Sequence, residues 1–362
     1  MKRIVVAMSG GVDSSVAAAL MHKEGYEVIG ITMTLSPTDS QAAPAGRGCC
    51  SVWDVTDAEK VAYKLGIPHY SFNLRDEFQR HVIDDFVQEY AKGRTPNPCR
   101  RCNQHIKFDH LLQRAHELGA EHVVTVHYAR VRRSEDGAFH LLKGRDHHKD
   151  QSYVLASLTQ EQLSHVLFPI GELEKSRVRE LARELELHAV ANKPESQDLC
   201  FIPDGNTAGF LGKHLPDQKP GSIVESSGKV VGEHQGLGLY TIGQRRGLGI
   251  ATGEPRYVLE LNVANNQLIV GDSQQLEHSL MEIEEVTWLQ PGPPTRASVK
   301  YRSTTGEAPA CIRSAEGSNV MVEFDAPQRA LAPGQAAVFY DGEEVIGGGT
   351  IAQVLVSSHA RS

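Results

Sequence analysis

The chain has 362 residues, a formal net charge of −8 and six cysteines, with 40% hydrophobic and 23% charged residues. A chain of this length exceeds one ordinary hydrophobic core, so we expect two or three domains. The composition is typical of a globular protein and excludes a fibrous or disordered one. No apolar run reaches the roughly 18 residues of a membrane span. The opening stretch MKRIVVAMSGG is too short for a signal peptide, which favours a cytoplasmic protein without a membrane partner.

The first half of the sequence alternates strand and helix patterns. RIVVAM is a short buried-strand run, DSSVAAALMHKEG predicts a helix that ends at Gly25, and EVIGITMTL predicts a second strand. A loop rich in Pro, Ala and Gly follows at residues 36–48. Apolar residues from Val52 to Leu65 then recur on one face of a helix, and PHYSFNL and HVVTVHY predict two more strands. This alternation predicts a parallel sheet with helices on both faces.

From about residue 205 onward the pattern changes to short strands separated by turns. YVLELNVANNQLIVGD predicts a hairpin with Asn265 and Asn266 at its turn. Beyond residue 280 the patterns are those of short strands, among them ASVKYRS, NVMVEFD and AAVFYDG. Together they predict a small β-barrel at the C-terminus.

The stretch AMSGGVDSS joins the first strand to the first helix. Gly10 and Gly11 allow a tight turn and the close approach of a ligand, and the exposed amides at the helix start form an anion site. Asp13 is unusual there, because a carboxylate beside phosphates is repulsive unless it holds Mg²⁺ or a ligand hydroxyl. The loop has no lysine, so it is not the G-x-x-x-x-G-K-[ST] loop that holds a transferred γ-phosphate.

Residues 95–108, TPNPCRRCNQHIKF, form a basic loop with two cysteines three positions apart. In a reducing compartment such thiols are catalytic or metal-binding rather than structural. Structural zinc needs four ligands, which this stretch does not supply alone. An iron–sulfur cluster on Cys99, Cys102 and Cys200 is the stronger metal alternative. Positive charge nearby lowers the pKa of a thiol, which favours a reactive thiolate.

The net charge argues against nucleic-acid binding only where basic residues are spread evenly, because phosphate contacts come from Lys and Arg. Here they are clustered. The stretch from Lys92 to Lys107 contains five basic residues and no Asp or Glu: Lys92, Arg94, Arg100, Arg101 and Lys107. A second basic cluster comprises Arg130, Arg132 and Arg133.

SGGVDSS resembles the pyrophosphatase loop of enzymes that cleave ATP between the α and β phosphates and leave AMP on a substrate oxygen. Longer stretches resemble one family with such a loop, the tRNA-specific 2-thiouridylases, over residues 1 to about 352. These stretches are TPNPCRRCNQHIKFD, KGRDHHKDQSYVL, KPESQDLCFI, GLGLYTIGQRRGLGI and PGQAAVFYDGEEVIGGGTI. The resemblance implies an α/β fold with an N-terminal parallel-sheet ATP-pyrophosphatase (adenine nucleotide alpha hydrolase-like) domain at residues 1–205. A small central linking domain at 206–278 and a C-terminal, tRNA-binding β-barrel at 279–362 follow.

The resemblance also implies a reaction. The family replaces O2 of the wobble uridine (position 34) of tRNA with sulfur, using ATP and Mg²⁺ to adenylate that oxygen and releasing AMP and pyrophosphate. By position, Cys200 carries the sulfur as a persulfide and Cys102 is the second catalytic thiol. Cys102 either frees hydrosulfide or forms a disulfide with Cys200 that releases the product. The implied partners are tRNA with a wobble uridine and a sulfur-donor relay protein or cysteine desulfurase.

Further site residues follow from the resemblance alone. Asp13 joins the two cysteines as a catalytic residue, and no metal ligand is implied. The implied nucleotide site comprises Ala7, Met8, Ser9, Gly10, Gly11, Val12, Asp13, Ser14, Met33 and Val126. The implied tRNA site comprises Asn97, Pro98 and Cys99 at the target base, with His127, Lys149, Asp150, Gln151, Lys300, Tyr301 and Gln335.

Two positions depart from the family pattern. Cys99 stands where other members can carry Asp, and Val126 replaces a Gly that in the family lies against the nucleotide, which narrows the approach of the backbone to ATP. Two other classes of function stay open. An amide-forming synthetase with the same ATP loop would leave Cys102 and Cys200 without a purpose, and a non-catalytic RNA-binding protein would release no pyrophosphate. The remaining cysteines are expected to pack rather than react: Cys49, Cys50 and Cys311.

Overall fold

The structure is a computed structural model that describes residues 1–35, 52–187, 190, 199–251, 253–315 and 318–355. The stretch 36–48, Cys49 and Cys50 lie outside the described residues. The chain divides into two compact units that do not follow the order of the sequence, because residues 84–98 are grouped with the C-terminal half. The first unit comprises Met1–Ile83, Cys99–Gly205 and Glu343–Val345, and the second comprises Asp84–Pro98, Asn206–Gly342 and Ile346–Ser362.

Five strands form the sheet of the first unit: β1 Arg3–Ala7, β2 Glu27–Thr34, β3 His69–Asn73, β4 His122–Val124 and β7 Val166–Leu167. Their order is β3-β2-β1-β4-β7, and neighbouring strands run parallel. This confirms the parallel sheet that the alternating strand and helix patterns predict.

Helices cover both faces of this sheet, among them α1 Val12–Lys23, α2 Val52–Leu65, α6 Leu111–Glu117 and α8 Lys175–Glu184. Ile4 and Val6 of β1 pack with residues of α1, α2 and α8, whereas Val5 packs with residues of α6. Alternate residues of a strand point to opposite faces, so the apolar run of β1 is buried on both sides.

The position of β1 determines where a ligand binds. β1 lies between β2 and β4, at the point where the strand order changes direction. In open parallel sheets, ligands bind outside the carboxyl ends of the strands at this point. β1 leads there into residues 8–11 and β4 leads into residues 125–127. The fold therefore brings the loop AMSGGVDSS and the stretch around Val126 to one edge.

The cysteine stretch is helical from Pro98 onward, so its interpretation as a loop was wrong beyond residue 97. Helix α5 Pro98–Arg101 leads into a π-helical stretch, π2 Cys102–His110, and a second one, π1 Gln79–Ile83, follows α3 Arg75–Phe78. Proline is favoured at the first helical position, where its missing N–H has no intrahelical partner to lose. π-Helical turns are rare and occur frequently at functional sites.

The basic run ARVRR is a strand. β5 Ala129–Arg133 and β6 Phe139–Lys143 form an antiparallel hairpin in the first unit. Arg130 donates to the carbonyl of Lys143 at 2.7 Å and pairs with Glu343 at 2.8 Å, whereas Arg132 and Arg133 are exposed. The unit also contains α7 Gln160–Ser164 and a 3₁₀ turn at Ser152–Leu155.

The second unit begins with α4 Asp84–Ala91 and also contains α9 Thr207–His214. Four of its strands form a sheet: β8 Gly221–Glu225, β9 Val230–His234, β10 Tyr257–Asn262 and β11 Gln267–Gly271. Their order in the sheet is β10-β11-β8-β9. β10 and β11 form the predicted hairpin, with Asn266 at a φ of 50° in its turn. Within the described ranges, no helix of either unit is long and apolar enough to cross a membrane.

Six strands form the C-terminal barrel: β12 Glu277–Trp288, β13 Arg296–Lys300, β14 Ala308–Ser314, β15 Val320–Arg329, β16 Ala336–Asp341 and β17 Glu344–Leu355. Their order is β12-β15-β14-β13-β16-β17, and pairing of β12 with β17 closes the ring. Phe339 is fully buried and stacks on Trp288 with ring centroids 5.0 Å apart. The predicted barrel is confirmed.

Replacing Phe339 by Ala should lower the free energy of unfolding by about 3–5 kcal/mol, because it leaves a cavity in the barrel. Urea unfolding followed by tryptophan fluorescence measures the loss. Tyr63→Ala removes an aromatic side chain that is 90% exposed and should stay within about 0.5 kcal/mol of wild type. Equal losses in the two variants would contradict this barrel core.

Candidate active site

The loop after β1 turns through Gly10, whose φ of 66° lies in the left-handed region that glycine adopts without strain. Ser14 and Ser15 donate their hydroxyls to the carbonyl of Gly11 at 3.1 and 2.8 Å, and the amide of Ser9 donates to Ser14 Oγ at 3.2 Å. Gly11 occupies the N-cap position of α1 and offers no side chain to its first amides. These amides and the positive end of the helix suit an anion.

The start of the loop is held by β2. Thr32 Oγ1 donates to the carbonyl of Met8 at 2.8 Å, and His69 Nε2 lies 2.8 Å from the same hydroxyl. Because the hydroxyl proton goes to Met8, Nε2 of His69 must carry the proton that it donates to Thr32. Burial lowers the pKa of His69, which agrees with a neutral ring. Gly30 leaves room for the loop, since a Cβ there would lie 2.6 Å from Met8 Sδ.

Asp13 is bound to a lysine that the sequence analysis missed. Its carboxylate accepts from Lys175 Nζ at 2.7 and 2.8 Å and from the Tyr128 hydroxyl at 3.1 Å. Lys175 is the first residue of α8, and its side chain is 11% exposed. The sequence separation is 162 residues, and no local pattern around Lys175 signals the pairing. A cation is therefore present at the loop even though the loop contains none.

The contacts of the Asp13 carboxylate test whether Asp13 can hold the predicted Mg²⁺. Both oxygens of Asp13 bind the ammonium of Lys175, so they do not offer an open ligand position in this arrangement. Among the described residues, no three His, Cys, Asp or Glu side chains come together as metal ligands. The residues present therefore do not fit a protein-bound Mg²⁺ at Asp13.

Three apolar residues complete the nucleotide edge. Ala7 ends β1 opposite Ile31, and Met33 lies two residues further along β2; both are partly buried against the cluster around α6. Val126 follows β4 and packs, partly buried, against the cluster around α1. Whether Val126 narrows the approach of ATP stays a prediction.

The segments of the two predicted catalytic cysteines meet at α3. π2, which begins with Cys102, packs on α3 and π1. Phe201, the residue after Cys200, packs edge-on against Phe78 of α3 with ring centroids 5.9 Å apart. Cys102 and Cys200 are both half-buried in the same unit. The fold thus brings two distant stretches of sequence to one helix.

Lys107 of π2 contacts a buried histidine. Its Nζ lies 3.4 Å from Nε2 of His127, whose Nδ1 lies 2.8 Å from Thr125 Oγ1. His127 is 5% exposed, and its burial, together with the charge of Lys107, holds its pKa well below the ordinary value. The ring is therefore neutral, with Nε2 accepting from the ammonium and Nδ1 donating to Thr125. Contact of His127 with tRNA stays a prediction.

The residues that are predicted to contact the target base differ in exposure. Asn97 is half-buried, Pro98 is buried and Cys99 is exposed. Arg100, which the sequence suggested as a source of charge beside Cys102, is only 4% exposed. Its guanidinium therefore lies inside the protein rather than on the surface.

Two predicted tRNA residues shape the turn before the 3₁₀ helix. Asp150 accepts from the amide of Gly144 at 2.9 Å, the amide of Ser152 at 3.1 Å and the Ser152 hydroxyl at 2.9 Å. Gln151 accepts from the amide of Tyr128 at 3.0 Å. Both oxygens of Asp150 thus have donors within the chain, and its contact with tRNA stays a prediction.

Of the four remaining predicted tRNA residues, two are lysines and two are polar residues that are buried or hydrogen-bonded within the protein. Lys149 and Lys300 are half-buried lysines that can offer charge to phosphate. Tyr301 is 5% exposed in the barrel, and burial raises the pKa of its hydroxyl. Gln335 donates its Nε2 to the carbonyl of Thr95 at 3.0 Å. Their contacts with tRNA also stay predictions.

The alternative iron–sulfur cluster does not fit the described arrangement. A cluster needs thiolates grouped around one centre. Cys99, Cys102 and Cys200 are all described, and they do not form such a group.

Comparisons with known proteins match nearly the whole chain. Three family profiles match in order: the tRNA methyl transferase HUP domain at residues 2–204, the tRNA methyl transferase PRC-barrel domain at 208–272 and the aminomethyltransferase beta-barrel domain at 278–351. A tRNA-specific 2-thiouridylase MnmA from Magnetococcus marinus is 48% identical over 354 residues, which cover 97% of this chain and 99% of that protein. The protein of the same name from Geobacter metallireducens is 49% identical over 356 residues, which cover 97% and 96%.

Burial of His127 makes stability depend on pH. Because its pKa is lowered in the folded protein, the unfolded chain takes up a proton first, and acidification favours unfolding. Stability should therefore fall as the pH is lowered through the ordinary range of a histidine, from about 7.5 to about 5.5, because the unfolded chain becomes protonated there and the buried ring does not. His127→Gln should lose correspondingly less stability. Urea unfolding of both proteins at the two pH values measures the difference.

His148→Gln changes an exposed histidine and should keep the pH dependence of wild type. The same pH dependence in wild type and His127→Gln would contradict a neutral, buried His127. Other histidines with lowered pKa values are present in every variant, so their contributions cancel: His69, His81, His122 and His278.

Proposed function

The chain belongs to the MnmA family of tRNA-specific 2-thiouridylases, and we propose that it uses ATP to replace O2 of the wobble uridine (position 34) of tRNA with sulfur. The observation that carries this proposal is an identity of 48% and 49% to two family members over 97% of the chain. The nucleotide loop and the two cysteine segments in the first unit supply the residue types that such a reaction needs. The proposed location is the cytoplasm.

The first step activates the base. O2 of uridine attacks the α-phosphorus of ATP, the bond to the bridging oxygen breaks, and pyrophosphate leaves. AMP then makes the substrate oxygen a good leaving group. Residues 7–14 hold the pyrophosphate through the amides at the start of α1. Lys175 neutralises charge on the leaving group, and Asp13 fixes its ammonium. Mg²⁺ enters as the counter-ion of ATP, with no protein ligand assigned.

The second step transfers sulfur. The terminal sulfur of a persulfide on Cys200 attacks C2, and AMP leaves with the electrons of the C–O bond. The thiolate of Cys102 then attacks Sγ of Cys200. The sulfur–sulfur bond to the base breaks, its electron pair stays on the thiouridine sulfur, and a Cys102–Cys200 disulfide remains.

In the alternative order, Cys102 attacks Sγ of Cys200 first and frees hydrosulfide, which then attacks C2. Both orders consume one sulfane sulfur and oxidise two thiols. A thiol reductant and a sulfur donor, either a relay protein or a cysteine desulfurase, must therefore restore the enzyme after each turnover.

The tRNA is held by charge and by an unstacked base. RNA bases are read most readily when they leave the stack, so a flipped uridine is expected beside Asn97, Pro98 and Cys99. Lys149 and Lys300 supply phosphate contacts. Lys107, anchored by neutral His127, adds positive charge to the helix that begins at Cys102, and such charge favours the thiolate.

Two rival reactions make different demands on the cysteines. A cluster on Cys99, Cys102 and Cys200 would require all three thiols and iron. An amide-forming synthetase would require neither Cys102 nor Cys200. The persulfide reaction requires those two and leaves Cys99 replaceable, so variants of single cysteines distinguish the three.

Incubation without oxygen of unmodified tRNA with the protein, ATP, Mg²⁺, a thiol reductant, and a cysteine desulfurase with cysteine as the source of sulfane sulfur should give 2-thiouridine, measured by mass spectrometry of the nucleosides. Cys102→Ser and Cys200→Ser should abolish the product, because each lacks a sulfur that must form a bond. Cys99→Ser and Cys311→Ser should retain it. Loss of product in Cys99→Ser would favour the cluster, and pyrophosphate release without thiolated product in wild type would contradict the proposed reaction.

Lys175→Met should lower tRNA-dependent pyrophosphate release about 100-fold, because a preorganised charge at the leaving group is lost. Lys175→Arg should retain part of the activity. Arg177→Met is the control on the same helix, since Arg177 is exposed and pairs with Glu180 and Glu184 of that helix. Thermal unfolding of each variant separates loss of activity from loss of fold. Wild-type rates in Lys175→Met would remove this lysine from the mechanism.

A further inference from the structure

Residues 146–151, here called the 146–151 turn, hold the start of α8. Asp146 Oδ2 accepts from the amide of Lys175 at 3.1 Å, and Asp146 Oδ1 accepts from the amide of His148 at 3.0 Å. Lys175 is the first residue of α8, and Glu174 at the N-cap position makes no capping hydrogen bond with its side chain. A carboxylate suits the unpaired amides and the positive dipole end of a helix start. Asp146 therefore caps α8 from a distant part of the chain and fixes where Lys175 lies.

The other end of the turn holds Tyr128. Gln151 Oε1 accepts from the amide of Tyr128 at 3.0 Å, and the amide of Gln151 donates to the carbonyl of Tyr128 at 2.9 Å. Both backbone polar groups of Tyr128 thus bind one residue. The contact is also closely packed, because a Cβ at Gly144 would lie 2.5 Å from the carbonyl oxygen of Tyr128. A displacement of Gln151 is therefore passed on to Tyr128.

Hydrogen bonds close the turn between these two ends. The amide of Lys149 donates to the carbonyl of Asp146 at 3.0 Å. Asp150 Oδ1 accepts from the amides of Gly144 and Ser152 at 2.9 and 3.1 Å. Satisfied backbone groups of this kind favour one conformation of the turn. The two ends of the turn are consequently held in one fixed arrangement.

Lys175 and Tyr128 both hold Asp13 with their side chains. The Lys175 ammonium donates to both carboxylate oxygens at 2.7 and 2.8 Å, and the Tyr128 hydroxyl donates to Oδ1 at 3.1 Å. The ammonium also lies 5.8 Å from the centre of the Tyr128 ring, within the range of a cation–π contact. Tyr128 is 3% exposed. The three side chains thus form one hydrogen-bonded group at the start of α1, and the 146–151 turn fixes two of its members.

The same turn carries Lys149, Asp150 and Gln151, which are predicted to contact tRNA, and all of these residues belong to the first unit. We propose that a tRNA contact at Gln151 fixes Tyr128, and through it Asp13 and Lys175, for activation of the uridine. Tyr128 and Asp146 are then positioning residues. The inference rests on the proposed thiolation, in which the Lys175 ammonium neutralises charge on the leaving pyrophosphate. A charged group stabilises developing charge best when its position is fixed before the reaction.

The first test compares Tyr128→Phe, which keeps the ring and removes the hydroxyl, with wild type. Single-turnover pyrophosphate release at saturating tRNA and ATP gives a rate constant and an amplitude, and filter binding gives the Kd for tRNA. We expect the rate constant to fall about tenfold, because the group at Asp13 is less well fixed, and the amplitude and the Kd to stay at wild-type values. Asp146→Asn should act in the same direction, since an amide offers one acceptor oxygen where the carboxylate serves two N–H groups.

Gln151→Met tests the link to tRNA, because it removes the acceptor of the Tyr128 amide together with the predicted tRNA contact. We expect a raised Kd and a lowered rate constant at saturating tRNA. Lys149→Gln should raise the Kd alone, as for a residue that supplies only charge to phosphate. The double variant of Gln151→Met and Tyr128→Phe should be about as slow as the slower single variant, because both changes act through the same hydrogen bond to Asp13.

Tyr26→Phe and Asp136→Asn are the matched controls. Tyr26 packs, partly buried, against the same core cluster as Tyr128 but lies beyond the opposite end of α1 from Asp13. Asp136 accepts from the amide of Ala138 at 3.2 Å in the turn between β5 and β6. Both variants should keep the rate constant and the Kd of wild type.

The outcomes separate the inference from the proposed function. Wild-type rate constants in Tyr128→Phe and Asp146→Asn would overturn the inference. A lowered amplitude with an unchanged rate constant would also overturn it, because it reports a smaller folded fraction and a merely structural role. A raised Kd with an unchanged rate constant in Gln151→Met would leave Gln151 as a tRNA contact alone. Absence of both pyrophosphate release and 2-thiouridine with wild-type protein would instead refute the proposed function, before any variant is compared.

Discussion

The ion pair between Asp13 and Lys175 is the interaction on which the predicted nucleotide edge depends, because it connects the first turn of α1 to the start of α8. The two side chains are 25% and 11% exposed. Removing one partner of a buried pair leaves an uncompensated charge and costs about 3–5 kcal/mol. An anionic ligand at the loop must share the ammonium with Asp13. In the proposed reaction, Asp13 therefore lowers the affinity for pyrophosphate while it fixes the position of the Lys175 ammonium, which suits a product that must leave after every turnover.

Much of the fold is predictable because its signals are local. The apolar run of β1 reflects burial on both faces, and the turn at Asn265 and Asn266 follows from residues that tolerate a positive φ. The anion-binding character of the loop is local too, since two glycines and a helix start lie within a few residues. The residues assigned to the target base and to the persulfide come from the resemblance alone, because no pattern of hydrophobicity, charge or spacing within one sequence identifies them.

The remaining features depend on contacts between distant residues. Lys175 reaches Asp13 from 162 positions away, so no window of sequence contains both. The grouping of residues 84–98 with the second unit arises from packing against residues beyond 200. The cysteine stretch looked like a loop because Pro-Asn-Pro is typical of turns. Proline also opens helices, and only the backbone after Pro98 decides between the two.

Several residues that the resemblance assigns to RNA have their polar groups engaged inside the protein. Asp150 accepts three hydrogen bonds from its own turn, and His127 is enclosed with Lys107 and Thr125. A buried polar group without a partner costs free energy, so these side chains serve the fold before any RNA arrives. In the proposed function, these residues contribute to recognition through what they hold in place: a lysine beside His127 and a backbone turn at Asp150. A substitution at such a residue alters the shape presented to tRNA, and its effect should be larger on positioning than on charge-driven affinity.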